Sequence, residues 1–169
     1  MQIRQEKKKD WPAIADLNTA AFETPKVAAI IAALRKNKVA PLVSLVAEEQ
    51  YAVVGHVIFS SVSLPSFPKL KIMALGPLAV APDKQRHGIG AQLVQCGLKK
   101  CKDLGAGAVV VLGHPTYYPR FGFTRATDRG ISCALARNPD AFMLIELKQG
   151  YLAGVSGSVE YDEAFNLER

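Results

Sequence analysis

Gln85-Arg86-His87-Gly88-Ile89-Gly90 is the stretch of this chain whose residue types and spacing point most directly to chemistry. It follows the apolar run Leu75-Gly76-Pro77-Leu78-Ala79-Val80-Ala81 and opens a segment of apolar periodicity that begins at Ile89. A glycine-rich turn that starts a helix gathers unpaired backbone N–H groups at the positive end of the helix dipole, a device for holding phosphate. Three phosphate motifs compete for the turn. A P-loop ends in Gly-Lys-Ser/Thr, and the chain contains no Gly-Lys pair. A dinucleotide-binding turn needs a third glycine, but Leu93 stands three residues after Gly90. The pattern Gln/Arg-x-x-Gly-x-Gly/Ala, placed directly after a bulged strand, is matched at every fixed position.

The elements that must position this turn follow from hydrophobic periodicity. Gln2 to Gln5 is a short strand candidate. Asp10 before Trp11-Pro12 reads as an N-cap followed by a proline in the first helical turn. Trp11, Ile14, Leu17 and Ala21 then form one apolar helix face. After the repeated start signal Thr24-Pro25, Val27, Ile30, Ile31 and Leu34 make a second stripe ending near Asn37. These two helices are expected to cover one edge of a sheet.

Leu42 to Ala47 and Tyr51 to Val62 are β-rich runs, read as a hairpin turning at Glu48, Glu49 and Gln50. Leu64 to Lys69 holds Pro65 and Pro68 and is a loop. In the run from Leu70 to Val80, Pro77 cannot donate to a ladder, so a central strand must bulge or lose pairing there. Backbone groups freed in this way are open to a ligand. Ile89 to Leu104 is the clearest helix, ended by Gly105 and Gly107. Ala108 to Leu112 reads as a buried parallel strand. Thr116 to Phe121 is a short helix or turn, Phe123 begins another strand, and Ala141 to Leu147 is the last. From Gly150 the chain is loop-rich until Tyr161 to Phe165.

The chain has 169 residues, 49% hydrophobic and 21% charged, with a formal net charge of +6. This suits a single globular domain over 1–169, with a core at 2–148 and a loop-rich extension at 150–169. No apolar run reaches membrane-span length and no signal-peptide core follows the early charges, so the expected location is cytoplasmic. Cys96, Cys101 and Cys133 show no metal-ligand spacing and read as reduced, mostly buried thiols, so no metal is expected. The positive charge suits an anionic ligand. The aromatic residues are not interleaved with the basic ones and no helix is basic along one face, which argues against nucleic acid.

With the context Gly76-Pro77-Leu78-Ala79-Val80 before the turn, the long helix after it, and Tyr118-Pro119-Arg120-Phe121-Gly122-Phe123 downstream, the chain resembles the GNAT-type N-acetyltransferases. The six-residue turn is similar to that superfamily's acetyl-CoA pyrophosphate loop, and the later segment to its Tyr-x-x-x-Gly-Phe element. Gly113-His114-Pro115 through Phe123 is similar to a bacterial subgroup of predicted small acetyltransferases. The fold implied is α/β, a mixed and mostly antiparallel central sheet flanked by helices and splayed at the cofactor cleft, with one parallel pair there.

The resemblance implies acetyl-CoA as co-substrate and a primary amine on a small molecule or peptide as acceptor. Acetyl transfer would proceed by direct attack. Backbone from Gln85, Arg86, His87, Gly88, Ile89, Gly90 and Ala91 would hold the pyrophosphate, with the two glycines permitting close approach. Leu78, Ala79 and Val80 would pair with the pantetheine arm, and one of their N–H groups would polarise the thioester carbonyl. Tyr118 takes the position of the general acid that protonates the departing thiolate. Its neighbour Tyr117 is the alternative for that role, and a purely structural tyrosine is the plainer reading. Pro119 departs from the commoner family sequence.

His114 reads as capping its turn, His56 as a packed strand residue, and Glu48 and Glu49 as turn residues, so no general base is assigned. The tail either folds over the site or pairs two subunits as a homodimer. The rival function is a non-catalytic acyl-CoA-binding or sensing module of the same fold.

Overall fold

The computed structural model describes residues 1–37 and 40–168. In chain order the elements are β1 (Gln2–Gln5), α1 (Trp11–Phe22), α2 (Lys26–Lys36), β2 (Leu42–Glu49), β3 (Ala52–Val62), β4 (Ile72–Val80), α3 (Ile89–Asp103), β5 (Ala108–Leu112), β6 (Thr124–Arg125), β7 (Ile131–Cys133), β8 (Phe142–Glu146) and β9 (Gly157–Val159). Seven strands form one sheet in the order β1-β2-β3-β4-β5-β8-β6. Its pairings are antiparallel apart from β4 with β5. No described helix is long and apolar enough to cross a membrane.

Strand alternation decides which side chains meet which layer. Leu45 and Ala47 of β2, Val57 and Phe59 of β3, and Met73 and Leu75 of β4 share a cluster with Ile89, Leu93, Val94 and Cys101 of α3. Fully burying a side chain such as Leu93 or Phe59 contributes about 1.5–3 kcal/mol. The layers touch closely at Gly97, where an added Cβ would lie 2.0 Å from Phe59 Cε1. On the opposite face Val46 and Ile58 pack with Ile14 of α1 and with Ile30, Ile31 and Leu34 of α2. Farther along that face, Ile72, Ala74, Ala108 and Val110 are covered by Ile131, Cys133, Leu152 and Val159. The two early helices therefore cover a face of the sheet, not its edge, because their apolar stripes need that surface.

The hairpin turn is shorter and lies later than its sequence suggests. Gln50 and Tyr51 form it, both at positive φ (50° and 64°), while Glu48 and Glu49 belong to β2. The primed two-residue turn matches strand twist, yet neither residue is the glycine or asparagine that normally announces it. Asp10 does not cap α1 with its side chain. It accepts instead both arms of the Arg4 guanidinium, at 2.8 and 2.9 Å, and the Lys7 N–H. Cys101 and Cys133 are buried but Cys96 is exposed.

The tail is more ordered than a loop-rich extension. β9 pairs in parallel with β7, and Glu160 exchanges backbone hydrogen bonds with Ser63. Ala164 and Phe165 then reach the α1/α2 cluster.

Under α1 and α2 lies a polar cluster centred on His56, which is fully buried. The Ser44 hydroxyl donates to Glu6 Oε1, and His56 Nε2 lies 2.9 Å from Ser44 Oγ. With its own proton committed to Glu6, Ser44 accepts from His56, which places the imidazole proton on Nε2. Nδ1 then faces Asn18 Nδ2 as an acceptor at 3.4 Å. Glu6 also receives Arg35 and Trp11. Burial pushes its carboxyl up, but the hydrogen bonds from His56, Arg35 and Ser44 outweigh this and bring it down to about 2.

Glu6→Gln is expected to cost about 3 kcal/mol of unfolding free energy at pH 7 in a denaturant titration. A folded carboxyl held below its unfolded value stabilises above the unfolded value, and that contribution disappears as pH falls through the folded one. The gap between wild type and variant should therefore close between about pH 4 and pH 2. A constant gap across that window would place its origin elsewhere.

Candidate functional site

β4 loses one neighbour halfway along. Its first half, Ile72 to Leu75, pairs with β5 over Ala108 to Val111. β5 ends at Leu112, and among the described residues no strand continues beside Leu78, Ala79 and Val80 on that side. Their other side remains paired with Val57, His56 and Gly55 of β3. Between Val57↔Leu78 and Phe59↔Leu75 the register gains one residue on β4, the bulge expected at Gly76-Pro77. The sheet thus opens as a wedge whose β4 wall carries no second strand among the described residues.

The turn at 85–91 closes the wide end of the wedge. Gln85 Nε2 donates back to the Val80 carbonyl at 3.2 Å, and Lys84 Nζ is 2.9 Å from Glu49 Oε1, tying the turn to the hairpin. Arg4 holds Glu48 at 2.7 Å. Arg86 (φ 67°) and Gly88 (φ 82°) lie in the left-handed region, and Gly88 is the N-cap of α3. Among the described residues no backbone N–H from Gln85 to Ala91 donates to a backbone carbonyl, whereas Gln92 N–H already bonds to Gly88. These seven successive N–H groups lead into the positive end of a 15-residue helix. Gln85, Arg86, His87 and Gly88 are exposed, Ile89 is buried beneath them, and Gly90 and Ala91 lie half-buried. His87 Nδ1 lies 3.1 Å from the Lys84 carbonyl, so this side chain is part of the turn's own fabric.

Tyr118 begins a 3-10 turn, Tyr118–Phe121, directly beyond β5. Pro119 fits there because a first-turn residue has no intrahelical N–H bond to lose. The Tyr118 ring packs against Gly113 at the end of β5, where an added Cβ would lie 2.3 Å from Cε2. It also meets Phe123 and Tyr117 edge-on, at 5.8 and 5.1 Å between centroids. Only 8% of the residue is exposed. Burial pushes its phenol up to about 12, with Tyr117 adding to the shift.

The two candidate tyrosines differ in where they reach. Tyr117 extends its hydroxyl to Gly90, whereas Tyr118 sits in the core cluster beside α3. His114 is exposed, and its carbonyl accepts the Tyr117 N–H at 3.1 Å. His56 lies in the polar cluster described above. Among the described residues no group of three or more His, Cys, Asp or Glu is placed to hold a metal ion.

One neighbour escaped the sequence reading. Tyr161, from the tail, has a buried hydroxyl with no hydrogen-bond partner among the described residues. Its phenol is raised well above the ordinary range by burial and by the nearby Cys133 and Tyr118. Its only sequence signal is the spacing to Phe165, whose ring it meets edge-on at 5.1 Å.

A sequence model of the acetyltransferase (GNAT) domain matches residues 2–126. The chain is 35% identical over 166 residues to the uncharacterized N-acetyltransferase YhbS of Escherichia coli strain K12, covering 98% of this chain and 99% of that protein. The crystal structure of YhbS in complex with CoA superposes with a TM-score of 0.92 at 36% identity, covering 98% of this chain and 91% of the other. A GNAT family acetyltransferase from Brucella melitensis in complex with acetyl-CoA gives 0.79 at 33% identity, with 97% of each chain covered. The family match spans most of the sequence and the relatives align nearly end to end, so the chain belongs to the GNAT family of acetyltransferases.

Proposed function

We propose that residues 1–169 act as one catalytic unit that transfers an acetyl group from acetyl-CoA to a primary amine by direct attack. The observation that carries this reading is the one-sided edge of β4 leading into a run of seven N–H groups without backbone partners at the start of α3. An edge that pairs an amide-bearing arm, followed by a turn that holds a pyrophosphate, fits the chemistry of this donor. The CoA and acetyl-CoA complexes of the two relatives support the same donor.

When bound, acetyl-CoA supplies an activated thioester. Backbone of Leu78, Ala79 and Val80 holds the arm and turns an N–H toward the thioester oxygen, where negative charge grows as the amine nitrogen bonds to the acetyl carbon. The nitrogen releases its proton to solvent water, the carbonyl re-forms as the C–S bond breaks, and Tyr118 Oη gives its proton to the departing thiolate and regains one from solvent. A phenol pushed up to about 12 is fully protonated at neutral pH and ready for that donation. Burial likewise pushes the Cys101 thiol up to about 12, so it offers no thiolate for an acyl-enzyme route.

The test is acetyl-CoA binding by calorimetry, followed by release of free CoA thiol in the presence of a panel of small amines and amino-terminal peptides. Amine-dependent thiol release supports the transferase. Binding with no turnover across the panel would replace it with a sensing module of the same fold.

A further inference from the structure

Tyr117 bridges the two walls of the wedge. A Cβ on Gly90 would lie 3.2 Å from its hydroxyl oxygen, and 3.7 and 3.8 Å from side-chain carbons of Val80 and Leu78. The phenol thus reaches from the segment after β5 across the open end of the sheet to the second residue of α3. Its hydroxyl has no hydrogen-bond partner among the described residues, although it stands over Gly90 in the first turn of α3. The ring itself is held from several sides. Tyr118 and Phe121 meet it edge-on at 5.1 and 5.4 Å, and the Arg120 guanidinium lies 4.2 Å from its centroid. Arg120 Nε also donates to the Tyr117 carbonyl at 2.8 Å. An aromatic ring fixed this firmly, with an uncommitted O–H beside a helix N-terminus, is preorganised to donate to an anion there.

We propose that Tyr117 is a donor-binding residue whose hydroxyl adds a side-chain hydrogen bond to the pyrophosphate of acetyl-CoA, and that Arg120 is a positioning residue acting through the Tyr117 ring. The inference rests on the acetyl-CoA reading above and separates the roles of the adjacent tyrosines. Tyr117 holds the donor at α3, and Tyr118 serves the reacting sulfur. Burial raises the Tyr117 phenol, which keeps it an O–H donor at neutral pH.

The experiment is calorimetric titration of wild type, Tyr117→Phe, Arg120→Gln and the double variant with acetyl-CoA and with acetyl-pantetheine, which lacks the pyrophosphate. Loss of a hydrogen bond to a charged group should weaken acetyl-CoA binding by Tyr117→Phe about tenfold, leaving acetyl-pantetheine binding and the thermal midpoint unchanged. Arg120→Gln should weaken acetyl-CoA binding less, and should add nothing in the Tyr117→Phe background. Acetyl-CoA affinity within twofold of wild type in Tyr117→Phe would overturn the proposal. Equal losses for both ligands would also overturn it, since the contact would then lie on the arm. An Arg120→Gln effect that persists in the double variant would overturn the positioning role. Wild type that binds no acetyl-CoA would instead remove the donor reading itself.

Discussion

Tyr118→Phe is expected to lower the amine-dependent turnover number by on the order of 100-fold or more, with acetyl-CoA affinity within about twofold of wild type. The substitution removes one oxygen and keeps the ring that packs on Gly113, Phe123 and Tyr117. No hydrogen bond from another described residue ends on that hydroxyl, so its removal orphans no partner and should leave the thermal midpoint in place. A fall in rate without a fall in stability then reports on proton donation to the thiolate. The pH profile supplies a second readout. A general acid must be protonated, and a phenol raised to about 12 loses its proton far above the working range. Wild-type turnover should therefore show no alkaline decline from this group below about pH 11. Turnover unchanged in the phenylalanine variant at saturating substrates would end the assignment. Tyr117→Phe is the matched control, since its expected loss lies in donor affinity.

Gly88→Val should weaken acetyl-CoA binding at least tenfold. At φ 82° a β-branched residue is a backbone outlier, and this glycine turns the chain from the exposed turn into the first residue of α3. A Cβ there would meet no protein atom within 4 Å, so the penalty comes from conformation and not from packing. To relieve it, the chain must rotate the N–H groups on either side, and a cradle of aligned donors loses several of them together. Gly88→Ala should show the same effect more weakly. Calorimetry against acetyl-CoA measures both variants, and unaltered affinity in Gly88→Val would mean that the donor's phosphates bind elsewhere.

Much of this arrangement is legible from the sequence because its signals are local. Gly88 and Gly90 mark the turn, the stripe from Ile89 to Cys101 marks α3, and Pro77 marks the break in β4. Each works through the backbone of its own neighbourhood. The parts that escape depend on contacts distant along the chain. The hairpin turns at Gln50-Tyr51, where side chains carry no turn signature and the pairing of β2 with β3 imposes the conformation. His56 looks like an ordinary strand residue until Asn18 of α1, Ser44 of β2 and Glu6 from the segment after β1 converge on it. β9 is three residues long and finds its partner β7 only after the tail has folded back. Tyr117 and Tyr118 are adjacent and chemically alike, and only the direction in which the short helical turn projects them tells them apart.

The half-paired strand β4 has a thermodynamic consequence. Leu78 to Val80 form a short internal edge, and an edge with free backbone groups is a template for any extended chain. A donor that pairs with it would complete the sheet in the folded protein and find no such edge in the unfolded one. Its binding free energy would then add directly to the stability of the fold, by about 2.7 kcal/mol at a concentration one hundred times the dissociation constant. The melting temperature of this protein would accordingly rise and fall with the acetyl-CoA concentration around it, and the same edge that receives a substrate would make the fold responsive to its supply.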